Sequence, residues 1–250
     1  MARTGLPASR HVEAVVRAVA ILNELAAARG ELGTTELARR TRINVSTVSR
    51  ILATLADGGL VEHVLSSGRY RLGLGIVRLA NALHEGRDIR SLARPYLSEL
   101  VGLLHETATL SVPGEHEAVT LDFVQSPLTV RSVAEVGRTS VAHATAVGKV
   151  FLAHGGTLPG AELIAFTRHT IVDRGVLERE VARVSDRGWA QALGERDPDM
   201  NAVAVPVLDR AGQLVAILGV QGPSARFRGQ AINAAANLLA DRVARISAAL

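Results

Sequence analysis

The sequence predicts a mainly α N-terminal domain followed by an α+β domain built on an antiparallel sheet. Between Val12 and Leu55, apolar residues recur every three or four positions, the period of a helix with one buried face. From Thr107 onward, β-rich runs instead come in pairs around tight turns at Pro113-Gly114 and Asp209-Arg210-Ala211-Gly212, the pattern of hairpins. A chain of 250 residues that is 48% hydrophobic suits two modest cores better than one.

Residues 1–10 form a short polar leader, expected to be disordered. Val12 to Ala28 is an apolar-periodic helix carrying Val12, Val15, Val16, Val19, Ile21, Leu22 and Leu25, ended by Gly30. Thr34 is the expected N-cap of a short helix over Thr35 to Arg40, and Thr41-Arg42-Ile43 is a turn. Asn44 then caps a second helix reaching Leu55, because its side chain can accept a bond from a free N–H of the first turn. Val48, Ile51, Leu52 and Leu55 make one apolar stripe on that helix. Its other side carries Ser46, Thr47, Ser49 and Arg50. Hydroxyls and helix-start N–H groups suit phosphate oxygens, and an arginine suits a phosphate or a guanine edge. Thr35, at the start of the short helix, joins Asn44 and these four as candidate DNA contacts.

Alone, such a stretch is more often an ordinary amphipathic surface helix. Its surroundings change that reading: helix, short helix, tight turn and second helix is the helix-turn-helix order, whose second helix lies in the major groove. Behind it, Leu60 to Leu65 and Arg69 to Leu72 flank a Ser66-Ser67-Gly68 turn and form a hairpin wing. Alternation puts Arg69 and Arg71 outward, to hold phosphate, and Tyr70 and Leu72 inward. Residues 11–73 thus read as a winged helix-turn-helix. Charge agrees: residues 1–80 hold eleven arginines against six acids, and the remainder is close to neutral. A second helix, Ile76 to His84, and a hinge at Glu85-Gly86-Arg87-Asp88 make 74–88 a linker.

Residues 89–250 make the second domain. Ile89 to Glu106 is an amphipathic helix, and Thr107 to Val112 and Ala118 to Val124 form a hairpin. A third strand is expected over Leu128 to Val136, and helices over Thr145 to Ala153, Ala161 to Phe166 and Val176 to Arg187. Trp189-Ala190-Gln191 is a short strand, Ala202 to Leu208 and Gln213 to Gln221 a second hairpin, and Arg228 to Leu250 a closing helix. Hairpins with helices around them imply an antiparallel α+β sheet.

Catalytic and metal signals are weak. The chain has no cysteine, so it can have neither a disulfide framework nor a thiolate metal site. Its eight histidines show no HxxxH or HxH pairing, and Glu115-His116-Glu117 reads as a solvated turn. There is no GxSxG elbow. Gly148-Lys149 resembles the end of a phosphate loop but lacks the upstream glycine, so Lys149, the only lysine, reads as a helix-surface residue or an internal ion-pair partner. No cofactor is expected. With no signal peptide and no span-length apolar run, the chain is expected in the cytoplasm.

The stretch TTELARRTRINVSTVSRILATLADGGLVEHVLSSGRYRLG resembles the winged helix of the IclR family of bacterial transcription regulators. RPYLSEL, VGRTSVAHATAVGK, AVPVLDRAGQLVAILGVQGP and the alanine-rich terminal helix are similar to that family's effector-binding domain, in the same order, so the resemblance covers roughly residues 12–250. It implies a GAF-like sensor fold and a linker helix over 76–84 that packs in a dimer. The expected assembly is a dimer, or a dimer of dimers, on a palindromic double-stranded operator, repressing rather than activating, with the winged helices repositioned by a small-molecule effector. One departure lies in the turn, where the family usually has glycine and this chain has Arg42. If that position is left-handed, a non-glycine residue costs about 1–2 kcal/mol.

The resemblance also marks a pocket. The positions of Ala146 and Val147 offer backbone N–H groups to small carboxylates, and Ser132, Ser140, Met200 and Gln221 line the site. The family's usual polar groups are replaced: an acid by Ala192, a cysteine by Ala202, and two serines by Gly219 and Gln221, while Asp199 stands for a glycine. The expected effector is therefore larger and less polar than a small oxo-acid, with Gly219 and the alanines leaving room for it. Two other classes compete. An enzyme acting on a small carbonyl compound would need a positioned nucleophile and base, which the sequence lacks. A winged-helix scaffold for protein would bind DNA weakly and without sequence preference.

Overall fold

The computed structural model describes residues 12–28, 30–82, 89–158 and 162–250. The chain divides into two compact units, Met1–Gly86 and Arg87–Leu250.

In the first unit α1 (Glu13–Ala27), α2 (Thr34–Thr41) and α3 (Val45–Asp57) close on one small core. Ile21, Leu25, Leu37, Val48 and Leu52 are its centre, each spaced to fall on the inner side of its helix. Asn44 caps α3, with its Oδ1 accepting from Ser46 N at 2.8 Å. α2 starts one residue earlier than the sequence suggests: Gly33 holds the N-cap position in extended conformation and Thr34 is already helical. Arg42 ends α2 at φ 56° and ψ 31°, a left-handed residue that turns the chain into α3. The wing is β1 (Val61–Val64) paired antiparallel to β2 (Arg69–Leu72), and Leu32 bridges to Tyr70 on its other edge. α4 (Gly75–Ala82) follows, with Val77 and Leu79 exposed. His84, the hinge at 85–88 and the leader at 1–10 lie outside the described residues.

The second unit is a six-stranded antiparallel sheet between helices. Its strands are β3 (Thr107–Pro113), β4 (Ala118–Val124), β5 (Thr139–Ser140), β6 (Ala190–Leu193), β7 (Met200–Leu208) and β8 (Leu214–Pro223), in the order β5-β4-β3-β8-β7-β6. Alternation splits each strand between two faces. Ala108, Leu110, Val203, Val205, Val207, Leu218 and Val220 pack on α5 (Ile89–Leu104) and α8 (Gln230–Ala249). Ala190, Ala192, Ala204 and Ile217 point the other way, toward α6 (Ala146–Ala153), which α7 (Arg174–Arg187) backs. The small residues on that face let α6 lie close to the sheet. Gly148 carries the same logic: a Cβ there would come within 2.4 Å of Val141 O.

Two expected elements do not form. Residues 128–136 are irregular, and the strand beside β4 is the two-residue β5. Val130, Val133 and Val136 are exposed and only Ser132 and Ala134 of the run are buried, too little apolar surface to hold a strand, and the Val130 and Ser132 carbonyls are taken by Arg226 Nη2 and Thr107 Oγ1. The helix expected at 161–166 is likewise irregular over its described residues. There the Ile164 carbonyl bonds His143 Nε2 at 3.0 Å, and the N–H of Phe166 donates to Thr170 Oγ1.

Candidate DNA-binding face and effector cavity

Capping and stripe spacing fix what α3 shows to solvent. Val48, Leu52 and Leu55 are buried, which leaves Ser46, Ser49 and Arg50 exposed and Thr47 half-buried. The Ser46 hydroxyl donates to Asn44 Oδ1 at 2.7 Å, so Asn44 serves the cap first. Thr35 is exposed at the start of α2.

The arginines of this unit divide into two sets. The wing pair is already engaged. Arg69 Nη2 lies 2.8 Å from Glu36 Oε2 and its Nε donates to Glu31 O at 3.2 Å. Arg71 grips Glu62 through two bonds of 3.0 Å, a cross-strand pair set by the Glu62↔Arg71 register. The Arg40 hydrogen bond, with help from Arg69, holds the Glu36 carboxyl below its ordinary range. Arg71 does the same to Glu62, and its own guanidinium is pushed up in return. By contrast, Arg39, Arg42 and Arg50 are exposed and have no carboxylate partner among the described residues. Free positive charge thus sits on the end of α2, the turn and α3 rather than on the wing. The sequence signal for the wing pairing was Glu62 and Arg71 at equal distances from the turn.

The second unit has a partly open cavity of about 380 Å³ between the sheet, the start of α6, the 131–141 segment and the 195–202 segment. Of the residues picked from the sequence, Ser132, Ser140, Ala146, Val147, Ala192, Met200, Ala202 and Gln221 line it. Gly219 does not. A Cβ on it would meet Thr109 Oγ1 at 2.9 Å and Val147 Cγ2 at 3.4 Å, so it is covered by those side chains and adds no room. Thr145 caps α6, its Oγ1 accepting from Gly148 N at 2.9 Å. The first N–H groups of a helix have no intrahelical partner, so those of Ala146 and Val147 are left for an anion.

The lining is more polar than the substitutions at 192, 202 and 219 suggested. Thr109, Ser111 and Thr120 contribute hydroxyls, and Arg131, Arg138, Glu195, Arg196, Asp197 and Asn201 contribute charge and amide. The hydroxyls had a legible signal, since Thr107, Thr109 and Ser111 alternate along β3 at the strand period. Within α6, Lys149 is buried, its Nζ 2.6 Å from Glu195 Oε1 and 3.0 Å from Gln191 O. It is therefore the internal ion-pair partner of the two roles the sequence allowed. Among the described residues no group of His, Asp or Glu is placed to hold a metal ion, and no helix is long and apolar enough to cross a membrane.

A helix-turn-helix unit joined to an α+β unit with a polar cavity defines a two-part regulator, and comparison with known proteins names its family. Residues 14–65 match the IclR helix-turn-helix domain, and residues 81–248 match the family described as bacterial transcriptional regulator IclR C-terminal. The chain is 34% identical to the HTH-type transcriptional regulator Rv1719 of Mycobacterium tuberculosis, over 92% of this chain and 89% of that one. It shares the fold of an IclR transcriptional regulator from Silicibacter, at TM-score 0.79 and 27% identity, covering 94% of this chain and 95% of the other. An IclR homolog from Microbacterium hydrocarbonoxydans, solved with 4-hydroxybenzoate, has the same fold at TM-score 0.80 and 23% identity, covering 94% and 98%. The chain belongs to the IclR family of transcriptional regulators, not to a family of enzymes.

Proposed function

We propose that this regulator reads a palindromic operator as a dimer, or a dimer of dimers, and releases or rearranges on it when a small carboxylate enters the cavity. The observation that carries the DNA reading is the unpaired Arg50, exposed on α3 among Ser46, Thr47 and Ser49. A guanidinium with no internal carboxylate is available to a guanine edge. Arg39 and Arg42 are the phosphate contacts this reading favours. Arg69 and Arg71 contribute less than the sequence implies, because they must first leave Glu36 and Glu62. Exposed Val77 and Leu79 on α4 are the surface that a partner's linker helix would cover.

Selection from a random DNA pool tests the reading. The wild-type chain should return a two-fold symmetric site. Arg50→Ala should lose discrimination at one or two positions of each half-site, at about 1–3 kcal/mol for a bidentate contact. An unchanged preference would remove Arg50 from base reading. For the cavity, Ala146→Pro deletes one of the two N–H groups while keeping the helix, since proline suits the first helical position and Thr145 is already extended at φ −127° and ψ 152°. It should weaken carboxylate binding about tenfold with little change in melting temperature.

A further inference from the structure

Two buried polar atoms lack a hydrogen-bond partner among the described residues, Ser111 Oγ and Glu195 Oε2, and both residues line the cavity. They sit far apart. Ser111 is on β3 and Glu195 follows β6, with β8 and β7 between, which is about 14 Å across the sheet. The two are not equivalent. A hydroxyl rotates to suit any neighbour, whereas a carboxylate oxygen only accepts.

Glu195 is also held in place. Its residue is 8% exposed. Its backbone oxygen takes the Thr170 hydroxyl at 2.6 Å, and the neighbouring Gly194 oxygen takes the Thr167 hydroxyl at 2.6 Å. Its other oxygen is fixed on Lys149. The carboxylate therefore cannot swing away to find a partner. Because Lys149 already balances its charge, the free oxygen lacks a donor but not a cation, and a second cation would face Lys149. A neutral O–H meets that need. Ala192, also in the lining, offers no side-chain acceptor of its own.

We propose, on the reading of the cavity as the effector site, that Glu195 is its specificity-determining residue and accepts a hydroxyl of the effector. The effector class is then a hydroxy acid, with its carboxylate on the Ala146 and Val147 N–H groups and its hydroxyl on Glu195.

The test uses the full chain and matched acids that differ by one hydroxyl: lactate and propionate, 3-hydroxybutyrate and butyrate, 4-hydroxybenzoate and benzoate. Binding is read from the fluorescence of Trp189, the only tryptophan, and from melting temperature. At least one hydroxy acid should bind about tenfold or more tightly than its partner. In Glu195→Gln the amide oxygen stays on Lys149 and the N–H group takes the place of the free oxygen, so that ratio should fall to one or reverse. If Glu195→Gln melts early, the Lys149→Met/Glu195→Gln double variant carries neither buried charge and gives the same readout. Acids that bind while no hydroxy acid of the set binds more tightly than its deoxy partner, or a Glu195→Gln chain that keeps the wild-type ratio, overturn the role of Glu195 and leave the cavity reading standing. Binding by no acid of the set, or full-strength binding to Ala146→Pro, overturns the cavity reading and this proposal with it.

Discussion

Arg42 is held at φ 56° in the turn between α2 and α3. A residue with a Cβ in the left-handed region costs about 1–2 kcal/mol relative to glycine. Arg42→Gly should therefore stabilise the first unit by about 1 kcal/mol in chemical denaturation. The same change should lower the slope of log affinity against log salt by about 1 per site if the guanidinium meets a phosphate. A chain that gains stability and keeps its slope would show that Arg42 does not touch DNA. Arg71→Ala should alter that slope less than Arg39→Ala, because Glu62 already takes the Arg71 charge.

The wing is tied to α2 by Arg69 on Glu36, and to the segment before α2 by Ser67 on Glu31 and the Leu32–Tyr70 bridge. Arg40 first, and Arg69 after it, hold Glu36 below its ordinary value of 4.5 when folded, so the contribution of both pairs is complete above that value and is lost as pH falls through the lower folded value. Amide exchange of Arg69 to Leu72 should accordingly speed up in acid beyond the intrinsic pH dependence, and Arg69→Ala should show the fast exchange at neutral pH. In α6, Gly148→Ala drives a Cβ into the Val141 carbonyl and should cost about 1–3 kcal/mol, read as a lower melting temperature of the second unit. Legibility in the sequence followed burial at this scale. The helices with one buried stripe and the hairpins around Pro113-Gly114 and Asp209 to Gly212 were readable, because a period records a buried face. The valine-rich run over 128–136 reads as a strand by composition, but Val130, Val133 and Val136 lie exposed and no strand forms there. The cavity was half readable. Residues lining it from β3 show an alternating pattern, whereas Lys149 and Glu195 meet across 46 positions of chain and leave no local trace.

Regulation requires the cavity ligand to favour one arrangement of the assembly over another, since a ligand that binds both equally shifts nothing. Each compact unit has its own core, so each should melt with its own transition. An effector at 100 times its dissociation constant should stabilise the second unit by about 2.7 kcal/mol and leave the first unmoved. Calorimetry with and without ligand reads this directly. A shift of both transitions together would place the units in one cooperative block instead. The division itself was visible in the switch from helical period to strand period near residue 107 and in the arginine excess before residue 80.

Lys149 is the only lysine in 250 residues, and it is 1% exposed. The folded chain consequently offers no side-chain amine to acylating reagents, amine cross-linkers or acetylating enzymes. Its ε-amine becomes reactive only when the loop carrying Glu195 opens. Acylation of this one site, followed by mass spectrometry, would count openings of the sensor unit one molecule at a time, and would slow in the presence of any compound that holds that loop shut.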